Sequence, residues 1–161
     1  MARWTGFFNK NGSPVLKISL YGVTRRVSKE FEAIVDTGFT GFLAMPMVEA
    51  FPLGLILTGT SRTKLADGST VTDLTALGTA FVGDEEAMGT VSLSSGPGAV
   101  LAGMEFLATF AKTLFVYTKA GQAVVVLVDN SEFEQFQAES EREQAGQPET
   151  RPGTVVPPTQ S

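Results

Sequence analysis

One stretch, Phe31–Phe42, limits what this chain can fold into, because it carries a carboxylate from an apolar strand directly into a glycine-containing turn. The strand is predicted from about Glu30 to Val35, and the carboxylate is Asp36. A carboxylate at the end of a buried strand costs free energy unless hydrogen bonds or chemistry compensate for it. Thr37 offers a hydroxyl, and Gly38 lets backbone amides approach the carboxylate closely. This turn is therefore the first candidate for a functional site.

The residue types that the sequence lacks remove several reaction classes. It contains no Cys and no His, so it has no disulfide, no thiolate or imidazole metal site and no Ser-His or Cys-His nucleophile pair. Catalysis would have to use carboxylates, hydroxyls, lysine or backbone dipoles, and we predict no cofactor and no metal. The net charge of −5 argues against nucleic acid as a partner, since nucleic acid binds to basic surfaces.

Length and charge distribution predict one domain followed by a tail. A chain of 161 residues suits one ordinary domain. Residues 131–161 contain six Glu and two Arg, so we predict a domain at 1–130 and an acidic, Pro-containing tail at 131–161. The tail is predicted to form a short helix to about Ala145 and to be disordered beyond Gly146. With no apolar run of roughly 20 residues and no apolar signal segment, we expect no membrane partner and a cytoplasmic location.

The alternation of apolar and polar residues predicts an all-β fold. Val15–Leu20 has the period of a half-buried strand and is predicted to form a hairpin with the strand that ends at Asp36. Asp67-Gly68 lies between Thr-rich arms and predicts a second hairpin, which projects from the body. Later strands are predicted at 75–82, 90–93, 99–102, 113–118 and 123–128, with Gly103 and a short helix after the third of these.

Three elements, in this order, resemble the retropepsin-like aspartic proteases. They are Ala33–Gly38 with its Asp-Thr-Gly, the Asp67-Gly68 hairpin, and Val100–Leu107 with its Leu-Ala-Gly. The string Asp36–Leu43 looks most like the single-domain bacterial members, and the resemblance covers roughly residues 12–128. The ordered set is more specific than Asp-Thr-Gly alone.

The resemblance implies a closed β-barrel with one or two short helices, which is half of a pepsin-like fold, with the last strand beside the Asp36 loop. Because the sequence contains one Asp-Thr-Gly and no internal repeat, two chains would each supply an Asp36 across a two-fold axis. The implied function is an aspartic endopeptidase that acts as a homodimer on a peptide or protein substrate, through a water activated by the two carboxylates. The implied site residues are the catalytic Asp36, Thr37 and Gly38, the substrate-binding flap residues Ala66, Asp67, Gly68 and Ser69, and Leu101, Ala102 and Gly103 beside the catalytic loop.

Other interpretations stay open. A catalytically inactive module of the same fold would bind a peptide, or assemble with a partner, through the same cleft. A small β-barrel interaction protein of unrelated fold would leave Asp36 exposed, and in the plainest case Asp36 caps backbone amides in a structural turn. The acidic segment Gly83–Glu86 is interpreted as a solvated turn rather than a metal site, and Ser94–Gly98 lacks the Lys of a phosphate loop.

Overall fold

Six strands of this chain close into a barrel, and four more extend the sheet on either side. The computed structural model describes residues 3–64 and 67–145. The strands in those residues are β1 (Trp4–Phe8), β2 (Pro14–Tyr21), β3 (Ser28–Val35), β4 (Leu43–Pro46), β5 (Ile56–Lys64), β6 (Thr70–Val82), β7 (Glu85–Ser94), β8 (Val100–Ala102), β9 (Lys112–Lys119) and β10 (Gln122–Asp129). They pair in the order β5-β6-β7-β4-β8-β3-β2-β1-β10-β9, and an additional pairing of β6 with β2 closes the six-stranded ring. The predicted all-β barrel class is confirmed.

The helices of the barrel unit are short and join its strands. Helix α1 (Met47–Ala50) and a 3-10 turn (Phe51–Leu53) follow β4, and α2 (Met104–Thr109) follows β8. Helix α3 (Asn130–Ala145) covers the segment for which the sequence predicts a tail helix. The described chain divides into two units after Asn130, and the second unit begins at Ser131. The disorder predicted beyond Gly146 lies outside the described residues.

The first predicted hairpin positions Asp36. Strands β2 and β3 pair antiparallel, with Ile18 opposite Phe31. Alternate apolar side chains of β2 are buried and Lys17 is exposed, as the period of a half-buried strand requires. Strand β3 ends at the buried Val35, so the next residue, Asp36, leaves the sheet at this end of the barrel.

The last two strands extend the sheet away from the ring. Trp4 of β1 lies opposite Leu127 of β10, which in turn lies opposite Leu114 of β9. Residues Val125–Val128 are all buried, as the apolar run in the sequence predicts. The resemblance implies that the last strand lies beside the Asp36 loop, but its ladder partners in the structure are β1 and β9, because β1 covers its apolar run.

Four aromatic side chains pack together in the core. Trp4, Phe42, Phe106 and Phe110 are each at most 7% exposed. The ring centroids of Phe106 and Phe110 are 4.8 Å apart, and Trp4 meets Phe110 edge-on at 5.0 Å. Tilted and edge-on pairs of this kind are the favourable arrangements for aromatic rings. Because Phe42 is the last residue before β4, this cluster anchors one end of the Asp36 loop to the core.

We expect Phe106→Ala to lower the free energy of unfolding by about 3–5 kcal/mol, because it removes a fully buried ring and leaves a cavity. Phe136→Ala is the matched control: that ring is 68% exposed, and its loss should change stability by less than about 0.5 kcal/mol. Urea unfolding monitored by circular dichroism measures both values. Equal effects of the two substitutions would contradict the packing described above.

A buried lysine joins three strands of the barrel unit. The side chain of Lys112 is fully buried, and its Nζ lies 2.8 Å from Oε2 of Glu85, forms a second ion pair with Asp129, and lies 4.5 Å from the ring centroid of Trp4. Burial by itself lowers the pKa of Lys112, but the hydrogen bonds to Asp129 and Glu85 outweigh it and raise the pKa. The sequence interpretation of Gly83–Glu86 as a solvated turn is wrong at Glu85, which begins β7 and pairs with this lysine.

We expect Lys112→Met to lower the free energy of unfolding by about 2–3 kcal/mol near neutral pH, because it leaves two neighbouring carboxylates without their cation. A raised pKa stabilises the folded state fully below the unfolded-state pKa of about 10.4, and that stabilisation is lost as the pH rises beyond it. The difference between the wild type and Lys112→Met should therefore shrink above about pH 10.4. Urea unfolding from pH 7 to 12 measures it, and a difference that is constant with pH would contradict the ion pairs.

Candidate functional site

The Asp36 loop, residues 36–42, wraps around the end of β8. The strands before and after the loop, β3 and β4, both pair with β8: Val35 lies opposite Ala102 in a parallel ladder, and Leu43 lies opposite the same residue in an antiparallel one. Strand β8 therefore runs between the two arms of the loop. This topology places the chain just after β8 directly beneath the turn that carries Asp36.

Four backbone hydrogen bonds fasten this loop to β8 and to the start of α2. They have donor–acceptor distances between 2.8 and 3.1 Å, and each joins one residue of the loop to one residue between Ala102 and Glu105. Because main-chain groups make them, they hold the path of the loop irrespective of its side chains. The bonds run from Asp36 N to Ala102 O, from Gly103 N to Phe42 O, from Met104 N to Phe39 O and from Glu105 N to Thr40 O.

Gly103 is required for this close approach. A Cβ atom at Gly103 would lie 2.3 Å from the carbonyl oxygen of Gly41 and 2.4 Å from that of Phe39, distances that no side chain tolerates against backbone. Leu101, Ala102 and Gly103 thus lie beside the Asp36 loop, where the resemblance places them.

The carboxylate of Asp36 is half-buried at the start of the loop. The backbone N–H of Gly38 donates a hydrogen bond of 2.9 Å to its Oδ1, and Thr37 and Gly38 are exposed. In the described part of the chain this is the one hydrogen bond that the side chain of Asp36 accepts, and Oδ2 accepts none. The turn therefore orients the carboxylate and leaves lone pairs of both oxygens available to a ligand or to a second carboxyl group.

The second predicted hairpin is formed by β5 and β6, and its outer part leaves the barrel. The two strands pair from Ile56 and Leu77 out to Lys64 and Thr70, but β6 is paired with β7 only from Leu74 onward. Between Leu74 and the tip, the hairpin is therefore a two-stranded ribbon, and its described side chains are exposed or partly exposed. It projects from the body, as the sequence predicts.

The tip of this hairpin contains the predicted flap residues. Asp67 accepts hydrogen bonds from the hydroxyl of Ser69 at 2.6 Å and from its backbone N–H at 2.8 Å, and these lower the pKa of Asp67. Gly68 has φ of +85°, a backbone conformation that favours glycine. Ala66 lies outside the described residues. No hydrogen bond or ion pair joins Asp67–Ser69 to residues 36–42 in the described chain.

An apolar recess, which the sequence did not predict, lies at the base of this hairpin. It has a volume of about 110 Å³. Its rim exposes Phe51 and Leu57, and exposed apolar side chains around a concavity favour binding of an apolar group. The available sequence signal was the apolar run on both sides of Pro52, which continues to Leu57. The lining residues are Ala50, Phe51, Leu55, Leu57 and Leu93.

We expect Gly103→Ala to lower the free energy of unfolding by about 1–3 kcal/mol, because the new methyl group displaces the backbone of the Asp36 loop. Gly98→Ala is the matched control, since a Cβ there meets no atom within 4 Å. Urea unfolding measures stability, and amide hydrogen exchange at Met104 reports on its bond to Phe39. Unchanged exchange and stability in Gly103→Ala would contradict the close approach.

Within residues 3–64 and 67–145, no group of three or more Asp or Glu side chains is placed to hold a metal ion, and no helix has the length and apolar content needed to cross a membrane. No protein-family model matches the sequence, and no curated protein matches it significantly.

Proposed function

We propose that this protein is an aspartic endopeptidase of the retropepsin-like kind, which hydrolyses peptide bonds as a homodimer. The observation that carries the proposal is the position of Asp36: its loop is fastened around β8 by backbone hydrogen bonds, and its carboxylate is oriented by Gly38 with lone pairs to spare. The closed barrel and the projecting β5–β6 hairpin support it.

The dimer follows from the chemistry. Two carboxyl groups about 3 Å apart do not both ionise, so they share one proton and can act together as base and acid. This sequence holds one Asp-Thr-Gly, so the second carboxyl group comes from Asp36 of another copy. A two-fold axis beside the exposed Thr37 and Gly38 brings the two loops together, and the Thr37 hydroxyl is available to bond across that axis.

The reaction conserves every proton. The ionised Asp36 of one copy takes a proton from a water, whose oxygen attacks the carbonyl carbon of the scissile peptide bond. The protonated Asp36 of the other copy donates its proton to the carbonyl oxygen. The tetrahedral intermediate then collapses: one of its hydroxyl groups returns a proton to the Asp36 that had donated one, the C–N bond breaks, and the leaving nitrogen takes up the proton that the other Asp36 had removed from the water. The β5–β6 hairpin acts as the flap that keeps an extended peptide in place and excludes other water.

A catalytically inactive peptide-binding or assembly module is the second candidate. The apolar recess formed with Phe51 and Leu57 favours it, because that recess is a binding feature that makes no use of Asp36. The two candidates differ in whether a bound peptide is cleaved.

We expect Asp36→Asn to lower kcat/KM for peptide cleavage at least about a hundredfold, because an amide cannot serve as general base. Asp84→Asn is the control, since Asp84 lies in an exposed turn and should have no effect. Cleavage of a randomised peptide library between pH 3 and 8, analysed by mass spectrometry, measures both variants. Equal activity of the wild type and Asp36→Asn would overturn the proposal.

The same variant tests whether two chains share one site. When wild type and Asp36→Asn are refolded together in equal amounts, about a quarter of the dimers carry two intact carboxyl groups. Activity at a fixed total protein concentration should therefore fall to about a quarter of the wild-type value. A fall to about a half would indicate an active site within one chain.

A further inference from the structure

The projecting part of the β5–β6 hairpin has two faces, and one continues the inner surface of the barrel. Ala76 and Ala80 of β6 are fully buried in the core, and Leu74 packs against it. Side chains alternate along a strand, so Thr72 and Thr70 follow on the same face as Leu74. We call this the inner face of the hairpin.

The inner face carries two cations. Residues directly opposite in an antiparallel ladder share a face, and Arg62 of β5 lies opposite Thr72 while Lys64 lies opposite Thr70. Both cations are exposed, and within the described residues neither is paired with a carboxylate. Being two residues apart on one strand, they lie roughly 6.5–7 Å from each other.

The acidic groups of the hairpin itself do not neutralise this face. The segment from Ile56 to Val82 contains two of them, Asp67 and Asp73. Asp73 lies opposite Ser61, which places it on the other face, and Asp67 is occupied by the hydrogen bonds from Ser69 at the tip. Arg62 and Lys64 are therefore available to bind an anionic group from outside the hairpin.

We propose that the inner face of this hairpin selects peptides that carry Asp or Glu side chains, through Arg62 and Lys64. The inference rests on the proposed function, because the hairpin acts there as the flap over a peptide. Carboxylates are the groups that Arg and Lys bind by charge-assisted hydrogen bonds. A peptide suits this surface better than a nucleic acid, since the whole chain has a net charge of −5 and repels a polyanion.

The test compares matched peptides. Peptides cleaved from the randomised library are resynthesised with either Glu or Gln at the acidic positions near the scissile bond. We expect the wild type to prefer the Glu peptide by about fivefold in kcat/KM, which is the effect of two exposed charge pairs. The preference should decrease as the salt concentration rises from 0.02 to 0.5 M.

The variants separate this face from the general charge of the protein. In Arg62→Gln/Lys64→Gln the ratio of Glu to Gln peptide should fall to about one. The control, Lys17→Gln/Arg26→Gln, also removes one lysine and one arginine. Arg26 lies in the turn before β3, whereas Asp36 follows the other end of that strand. The control should therefore keep the wild-type ratio. Arg62→Glu/Lys64→Glu should prefer peptides with Lys at the same positions over the Glu peptides. A misfolded hairpin would not produce this new preference.

A binding measurement keeps this inference distinct from the proposed function. Fluorescence anisotropy with labelled Glu and Gln decapeptides and the Asp36→Asn protein reports preference without turnover. If the wild type cleaves no peptide but the Glu peptide still binds more tightly through Arg62 and Lys64, the proposed function fails and the selection stands. Equal kcat/KM for the two peptides, an unchanged ratio in Arg62→Gln/Lys64→Gln, or tighter binding of a DNA oligonucleotide of equal charge would overturn the selection.

Discussion

The hydrogen bonds between the Asp36 loop and the chain from Ala102 to Glu105 are the constraint on which the candidate site depends. Backbone groups make these bonds. The close approach that they need leaves no space for a side chain at position 103, so this residue has to be glycine. At its other end the loop is anchored by Phe42 in the aromatic core. Asp36 therefore lies in a loop and is nevertheless positioned by a strand, a helix and a packed ring, the kind of rigid support that catalytic groups require.

Some cations of the barrel unit have close acidic partners that the two cations of the projecting hairpin do not have. In the barrel unit, Lys112 is buried between two carboxylates, and Arg25 and Lys29 are paired with Glu86 and Glu49. In each of these pairs, the fold brings a cation and a carboxylate of the same unit into contact. On the projecting hairpin the cations lack such partners in the described chain, although ion pairing elsewhere shows that acidic side chains are plentiful. Arg62 and Lys64 are thus two cations on one face of the hairpin, without an ion pair in the described chain, where a peptide would approach.

Local patterns predicted the parts of this structure that depend on local physics. Alternating side chains identified β2, which forms a hairpin with the strand that ends before Asp36, and Gly103 after an apolar strand predicted the break between β8 and α2. That this element lies beside the Asp36 loop was implied by the resemblance and not by a local pattern. The cluster around Lys112 was missed because it joins Glu85, Lys112 and Asp129 across long sequence separations, and no periodicity encodes which distant strands become neighbours. The position of the last strand was misjudged for the same reason, since pairing with β1 depends on which apolar run is left uncovered.

Two features of the described chain are incomplete by themselves, and they point to the same missing component. The carboxylate of Asp36 uses one hydrogen bond and keeps the rest of its lone pairs, and the outer hairpin is a two-stranded ribbon, which is marginally stable in water without a surface to cover it. A structural turn would account for the first feature and leave the second unexplained. An extended peptide held against the inner face of the hairpin and reaching Asp36 of two copies would account for both, because it supplies the surface that the ribbon lacks and the bond on which the carboxylates act.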